Sequence, residues 1–191
     1  MRWFQSALVC LLLFLFAGAA AFGAGQPAGV WLDVPFIRQE KNGCGAASIA
    51  MVMQYWSQQQ HQSWGPQADA AQIQRELYSA KAHGIYAKDL QHYLESKGFQ
   101  VFAFRGDWGE LRENLSKGRP LIVALKPLAG DPSLHFLVVA GLDWQHGIVL
   151  VNDPAQRKLL KEDRSSFERE WNATGKWTLL AVPKTTARSA Q

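Results

Sequence analysis

The sequence is poor in cysteine and contains no cluster of positive charge. Only two of its 191 residues are cysteines, and Cys10 lies within an N-terminal apolar segment that resembles an export signal. Cys44 is then the only cysteine of the exported domain, which excludes the paired disulfides that small secreted domains normally use. The Lys and Arg residues are scattered, so the formal charge of +4 gives no reason to expect nucleic-acid binding. An unpaired thiol in an exported domain indicates a reactive cysteine.

The chain also lacks internal repeats and carries little charge. Charged residues make up 19% of the sequence and hydrophobic residues 48%, which is the balance of a packed globular chain. The length is that of one domain of ordinary size. Together these values exclude a disordered chain and predict a single folded domain.

Residues 1–25 have the pattern of a targeting segment. Arg2 supplies an N-terminal positive charge, Ala7–Phe22 is uncharged and rich in Leu, Phe and Ala, and Ala19-Ala20-Ala21 fits a cleavage motif. The alternative is an uncleaved membrane anchor, because about 17–25 apolar residues can span a bilayer. Both interpretations place residues 26–191 outside the cytoplasm, either released into the periplasm or medium or associated with the membrane.

The residue pattern predicts an α+β domain over residues 32–183, followed by a flexible tail at 184–191. A buried central helix is expected at 44–56, because apolar residues cover most of its circumference. Further helices are expected at 68–81, 87–97, 107–118 and 165–171, and extended segments or strands at 32–37, 99–104, 121–125, 135–142, 148–151 and 176–182. Helices dominate the first half and strands the second, which implies helices on one side of an antiparallel sheet.

Cys44 lies between Gly43 and Gly45 at the start of the predicted central helix. Free N–H groups and the helix dipole favour a thiolate at this position. The two glycines are expected to leave room for a substrate backbone. The alternative is a small, buried cysteine without reactivity.

A cysteine nucleophile requires a base, and His135 is the expected one. A titratable ring at the start of the apolar strand His135-Phe-Leu-Val-Val-Ala costs free energy unless a partner stabilises it. The other histidines fall in loops, in a turn or on the polar face of a helix, and are expected at the surface: His61, His83, His92 and His146.

Asp153 is expected to orient His135. It ends the strand that follows, and a register that pairs it opposite Leu137, with the turn centred on Gln145, brings its carboxylate within reach of the imidazole. A shift of one residue offers Asn152 instead, and an asparagine can also orient a histidine.

The segment from Leu32 to Trp56, with Gln39 and the run Asn-Gly-Cys44-Gly-Ala-Ala, resembles the start of the bacteriocin-processing cysteine peptidases. These are papain-like domains that cut leader peptides after a double glycine. The resemblance continues in His135-Phe-Leu-Val-Val-Ala-Gly, in Val151-Asn-Asp153-Pro-Ala and in the segment from Phe167 to Trp171, in the order of the family.

This resemblance implies a papain-like fold with Cys44 on the central helix, facing a histidine on the sheet. It implies that Cys44 is the nucleophile, His135 the general base and Asp153 its orienter. Gln39 would be an oxyanion donor beside the backbone N–H of Cys44. The implied chemistry is hydrolysis of a peptide or protein through an acyl-enzyme, without a metal or cofactor.

Two features depart from the family pattern. The best-known members are cytosolic domains of ABC exporters, whereas this sequence carries a predicted export signal and no ATPase motif. The spacing of five from Gln39 to Cys44 is also one shorter than the spacing associated with papain-like enzymes. Two other functions fit the same residues: an acyltransferase or amidase on this fold, or a catalytically silent module that binds a peptide in the cleft.

Overall fold

The computed structural model describes residues 28–127 and 134–184. The predicted targeting segment at 1–25 lies outside the described residues, as does the predicted tail from residue 185 onward. Within the described ranges, none of the helices combines the length and the apolar character needed to cross a membrane.

The helices and strands alternate in groups along the chain. The helices are α1 (Cys44–Gln60), α2 (Ala70–Leu77), α3 (Ala87–Ser96), α4 (Trp108–Ser116) and α5 (Arg164–Asn172), with a short 3-10 helix at Gly65–Ala68. The strands are β1 (Gly29–Trp31), β2 (Phe99–Arg105), β3 (Leu121–Leu125), β4 (His135–Asp143), β5 (Ile148–Asn152), β6 (Leu160–Asp163) and β7 (Trp177–Pro183).

The strands form one sheet with the order β2-β7-β3-β4-β5-β6, and β1 pairs with the end of β4 beyond β3. Every pairing between these strands is antiparallel, as predicted. β4 therefore lies in the interior of the sheet, which fixes the position of His135 at its first residue.

Helices cover both faces of the sheet, so the prediction of helices on one side was wrong. One face packs against α1 and α3, with Ile122, Ala124, Phe136 and Val138 in the shared core, and α2 packs against α1. The other face packs against α4 and α5 through Leu111, Leu115, Phe167 and Trp171. The physical reason lies in β3, whose five residues are all buried. An uninterrupted apolar strand requires cover on both faces.

Helix α1 is the predicted central helix, and it extends one turn beyond the predicted end. Its residues from Gly45 to Met53 are all buried. Two side chains near its end anchor it to the rest of the domain: the Tyr55 hydroxyl donates to the Gly118 carbonyl oxygen at 2.8 Å, and Trp56 Nε1 donates to the Ala181 carbonyl oxygen at 2.9 Å. The helix is therefore held at its C-terminal end as well as along its length.

Local capping signals account for several helix ends. The Asp107 side chain accepts from the Glu110 backbone N–H while Glu110 accepts from the Asp107 N–H, which confirms the predicted capping box. Asp69 caps α2 by accepting from the Gln72 N–H. Gly98 follows α3 with φ +87°, the left-handed conformation expected after a helix.

Some predicted boundaries differ from the structure. Helix α2 is shorter than the predicted 68–81, and Ser79 instead pairs with Gly84 in an isolated bridge. The first strand is β1, whereas the predicted extended segment 32–37 lies outside the sheet. Strand β6 was not predicted, because only four residues with mixed polarity form it.

Candidate active site

Cys44 is the first residue of α1, and its half-buried side chain lies at the surface of a pocket. Gly43 caps the helix without any side-chain hydrogen bond. Cys44, His135 and Gln39 line this pocket together. The arrangement leaves the thiol at the positive end of the helix dipole, as expected from the sequence.

The two glycines beside Cys44 serve packing, and the prediction that they leave room for a substrate was wrong. A Cβ at Gly45 would lie 3.3 Å from the side chains of Ile85 and Leu90, because this residue faces the core. A Cβ at Gly43 would lie 3.1 Å from the Glu40 carbonyl oxygen. Both contacts are with neighbouring parts of the protein, so the glycines allow the segments around α1 to approach closely.

The hairpin of β4 and β5 brings His135 to Asp153. Val138 pairs with Asn152, and continuing this register sets Asp153 opposite Leu137, as predicted. The turn is not centred on Gln145, because the ladder closes at Asp143 and Ile148. A bulge between Val139 and Gly141 absorbs the one-residue difference.

The Asp153 carboxylate accepts three hydrogen bonds although the residue is only 3% exposed. His135 Nε2 lies 2.8 Å from Oδ1, the Ala155 N–H donates to Oδ1 at 2.8 Å, and Gln156 Nε2 donates to Oδ2 at 2.7 Å. Burial opposes ionisation, but the hydrogen bond and charge of His135 and the donors of Ala155 and Gln156 lower the pKa of Asp153 below its ordinary value. The group is held as a carboxylate.

The environment of His135 favours its charged form. Burial by itself would lower the pKa of the ring. The interactions with Asp153 and Cys44 outweigh burial and raise this pKa to about 10. Since Nε2 contacts Asp153, Nδ1 is the ring nitrogen available to Cys44. This order of groups is suited to proton transfer between sulfur and imidazole.

Asn152, the alternative orienter of the histidine, has a different position. It is fully buried, its Nδ2 donates to the Val34 carbonyl oxygen at 3.1 Å, and its Oδ1 accepts from the Leu159 N–H at 2.9 Å. The alternation of side chains along β5 directs it away from the face that carries Asp153. Asn152 joins the chain before α1 to the loop after β5.

Gln39 lies beside Cys44 in the pocket, as the resemblance implies. Its Oε1 is buried without a hydrogen-bond partner, and its Nε2 donates to no atom within the described residues. Its backbone N–H donates to the Pro154 carbonyl oxygen at 2.9 Å. The side-chain amide is therefore available as a donor while the backbone is held.

Sequence reasoning missed Arg38 and Gln156. The Arg38 guanidinium donates to the Gln156 carbonyl oxygen at 3.0 Å, and no spacing could indicate a contact between residues 118 positions apart. Gln156 binds the Asp153 carboxylate, and its position three residues after Asp153, in a turn that begins with Asp-Pro, is a signal that could have identified it.

A second cavity lies on the other side of His135, and sequence reasoning did not identify it. His135, Asp153, Glu162 and Glu170 line it together. Burial, followed by the charges of Glu170 and Asp153, raises the pKa of Glu162 to about 7. An additional carboxyl group that titrates near neutral pH thus shares a cavity with the His135–Asp153 pair.

The profile of the Peptidase_C39-like family matches residues 31–179. The chain belongs to this family. The family predicted from the sequence is thereby confirmed. Among curated proteins, none matches the chain.

Solved structures of C39 peptidases have the same fold. A protein of Bacillus anthracis described as a C39-like peptidase is 20% identical, with a TM-score of 0.66 over 83% of this chain and 99% of that chain. A double glycine motif protease from an AMS/PCAT transporter, in complex with the leader peptide, is 25% identical, with a TM-score of 0.62 over 81% and 95%. The peptidase domain of Streptococcus ComA, a bifunctional ABC transporter, is 23% identical, with a TM-score of 0.59 over 78% and 98%. The predicted papain-like α+β fold is confirmed.

Proposed function

We propose that this protein is a cysteine endopeptidase that hydrolyses peptide bonds through Cys44, His135 and Asp153. The observation that carries the proposal is the 2.8 Å contact between His135 Nε2 and Asp153 Oδ1, which leaves Nδ1 for the thiol at the start of α1. Membership of the C39-like family supports the same chemistry. Gln39 is the proposed oxyanion donor, because its amide is a free donor beside Cys44.

The proposed reaction begins with transfer of the Cys44 proton to His135 Nδ1, and Asp153 stabilises the resulting imidazolium. The thiolate attacks the carbonyl carbon, and Gln39 and the Cys44 N–H stabilise the developing oxyanion. Collapse breaks the C–N bond, and His135 gives its proton to the leaving amine. Water then attacks the thioester while His135 takes a proton, which releases the acid and restores Cys44.

The proposed substrate class is a peptide or protein, with double-glycine leader peptides as the first members to test. One neighbour with this fold is a double glycine motif protease in complex with a leader peptide. We also propose that the protein is exported, since residues 1–25 carry the predicted signal. Sequencing the N-terminus of the mature protein and locating it by cell fractionation test the export proposal.

The decisive experiment is hydrolysis of a peptide library by the wild-type protein and by Cys44→Ala. Library members contain a central Gly-Gly or a random pair, and mass spectrometry identifies the products. Wild type is expected to cut peptides and Cys44→Ala to cut none. If both cut equally, or neither does, the peptidase proposal is wrong. Added amine acceptors separate hydrolysis from acyl transfer, because transfer would yield amide products.

Labelling of Cys44 by an iodoacetamide probe at pH 6 gives an independent check. A thiol with an ordinary pKa near 8.5 labels slowly at this pH, whereas a thiolate paired with an imidazolium labels rapidly. His135→Ala is the matched variant and is expected to slow the labelling.

A further inference from the structure

The pocket of Cys44 continues into a groove along α2. Asn42 and His83 line both the pocket and the groove, so the two are contiguous. The groove has a volume of about 580 Å³ and is completed by Lys41, Gln74, Arg75 and Tyr78. This volume falls within the range of about 300–1,000 Å³ that ligand sites occupy.

The charged side chains of this groove are all basic. Lys41 and Arg75 are exposed, and neither forms an ion pair with another of the described residues. None of the lining residues is acidic. Glu76, the next residue along α2, does not line the groove. Burial and then its charge raise the pKa of the Tyr93 phenol to about 12. Two unpaired cations therefore face the groove.

The groove also contains hydrogen-bond donors and an aromatic surface. Tyr78 is 43% exposed, and the His83 ring can donate a hydrogen bond in either charge state. Asn42 and His83 have φ values of +59° and +49°, the left-handed conformation that asparagine and histidine adopt more readily than most other residues with a side chain. Gln74 Nε2 donates to the Asn42 carbonyl oxygen at 3.4 Å, which joins α2 to the loop before Cys44.

The opposite side of His135 carries the opposite charge. The pocket of Cys44 shares Pro127 and His135 with the second cavity, which is lined by Glu162, Asp163 and Glu170 and by one cation, Lys161. A peptide that extends past Cys44 in both directions would meet basic side chains at one end and mainly acidic side chains at the other.

We propose that the basic groove of Lys41, Arg75, Tyr78 and His83 is a subsite for an acidic side chain of the peptide substrate. This inference rests on the proposed function and adds to it a preference for acidic residues in the substrate. An Asp or Glu on one side of the scissile bond binds Arg75 and Lys41. The same residue on the other side is disfavoured by Asp163 and Glu170.

The test uses a library of decapeptides with a central Gly-Gly and random residues on both sides. Peptides retained by immobilised Cys44→Ala are sequenced by mass spectrometry, and so are the peptides cut by the wild type. Asp and Glu are expected to be enriched about three- to tenfold over Lys and Arg at a position on one side only. The enrichment should shrink in 1 M salt, where the screening length falls to about 3 Å.

Reversing the charge of the groove tests whether the groove causes the acidic preference. The double variant Lys41→Glu/Arg75→Glu is made in both the Cys44→Ala and the wild-type background. It is expected to replace the acidic preference with a basic one at the same position. Arg105→Glu is the matched control, since Arg105 is an exposed arginine at the end of β2 and lies outside the groove. It should leave the preference unchanged, and melting curves verify that all variants fold.

Binding of peptides to Cys44→Ala distinguishes a failure of the subsite from a failure of the proposed function. One-sided acidic enrichment among peptides bound to Cys44→Ala, without cleavage by the wild type, would support the subsite and reject the peptidase. Cleavage without such enrichment, or with enrichment that survives reversal of Lys41 and Arg75, would overturn the subsite and leave the peptidase standing. If the bound peptides show no acidic enrichment and the wild type cuts no peptide, the subsite and the peptidase are both overturned.

Discussion

The backbone N–H of Gln39 donates a 2.9 Å hydrogen bond to the carbonyl oxygen of Pro154. This bond joins the segment before Cys44 to the loop that begins at Asp153. Arg38 strengthens the same junction through the Gln156 carbonyl oxygen. The proposed oxyanion donor and the proposed orienter of the histidine are therefore positioned by one shared contact. A substitution that displaces either segment is expected to displace the other as well.

Arg38→Gln is expected to lower kcat about tenfold while KM changes less. The variant loses an exposed hydrogen bond from a charged donor, of a kind that contributes about 0–1 kcal/mol, and loosens the junction without touching the substrate. Arg38→Lys should recover part of the loss, and Arg105→Gln serves as the exposed control. Steady-state kinetics and melting curves check this. An unchanged kcat in Arg38→Gln would contradict the positioning role.

Asp153→Asn is expected to lower kcat/KM by about 10²- to 10⁴-fold, because the neutral amide no longer stabilises an imidazolium. Asp153→Ala should lose additional stability, about 1–3 kcal/mol, since the Ala155 N–H and the Gln156 amide lose their acceptor. Kinetics and urea unfolding measure the two effects. Equal stability of the Asn and Ala variants would contradict this account of the carboxylate.

The lowered pKa of Asp153 also predicts a pH dependence of stability. The folded state holds the carboxylate more strongly than the unfolded chain does, so its contribution is present above the ordinary pKa of 3.8 and is lost as the pH falls through the lower folded value. The difference in unfolding free energy between wild type and Asp153→Asn should therefore be largest near neutral pH and shrink below pH 4. A difference that grows on acidification would contradict the direction of the shift.

The sequence predicted the position of Cys44 and the contact between His135 and Asp153 because local patterns determine most of both. Cys44 follows from a helix start, and His135 with Asp153 follows from the strand register. The bulge at Ala140 was not predictable. It adds one residue to β4, which allows a turn one residue longer than predicted while the pairing of Val138 with Asn152 near the site is kept. The contacts of Arg38 and the cavity of Glu162 depend on segments distant in sequence, so only the packed sheet reveals them.

Gln39→Ala is expected to lower kcat by about 10²- to 10³-fold, the usual effect of removing one oxyanion donor. Stability should change little, because the buried Gln39 Oε1 has no partner among the described residues and its removal costs no hydrogen bond. Gln39→Glu keeps the size but removes the amide donor, and should be as slow as the Ala variant. A Gln39→Glu variant with wild-type kcat would show that the amide is not an oxyanion donor.

Glu162→Gln is expected to stabilise the protein at alkaline pH. The pKa of Glu162 is raised to about 7 from an ordinary 4.5 by burial and then by Glu170 and Asp153. A raised carboxyl pKa means that stability is fully present below pH 4.5 and declines as the pH rises through 7. Melting temperatures of wild type and variant should therefore agree near pH 4.5, and the variant should be higher at pH 8.

The same substitution should change the pH dependence of the proposed activity. Above pH 7 the Glu162 carboxylate faces the cavity of His135, together with Asp153, Asp163, Glu170 and Lys161, and its negative charge favours the imidazolium. Removing that charge should move the alkaline limb of the kcat/KM profile to lower pH, by roughly half a pH unit. Glu113→Gln is the matched control, because Glu113 is paired with Lys117 on the surface of α4. A shift to higher pH, or an equal shift in the control, would mean that Glu162 does not act on the histidine through its charge.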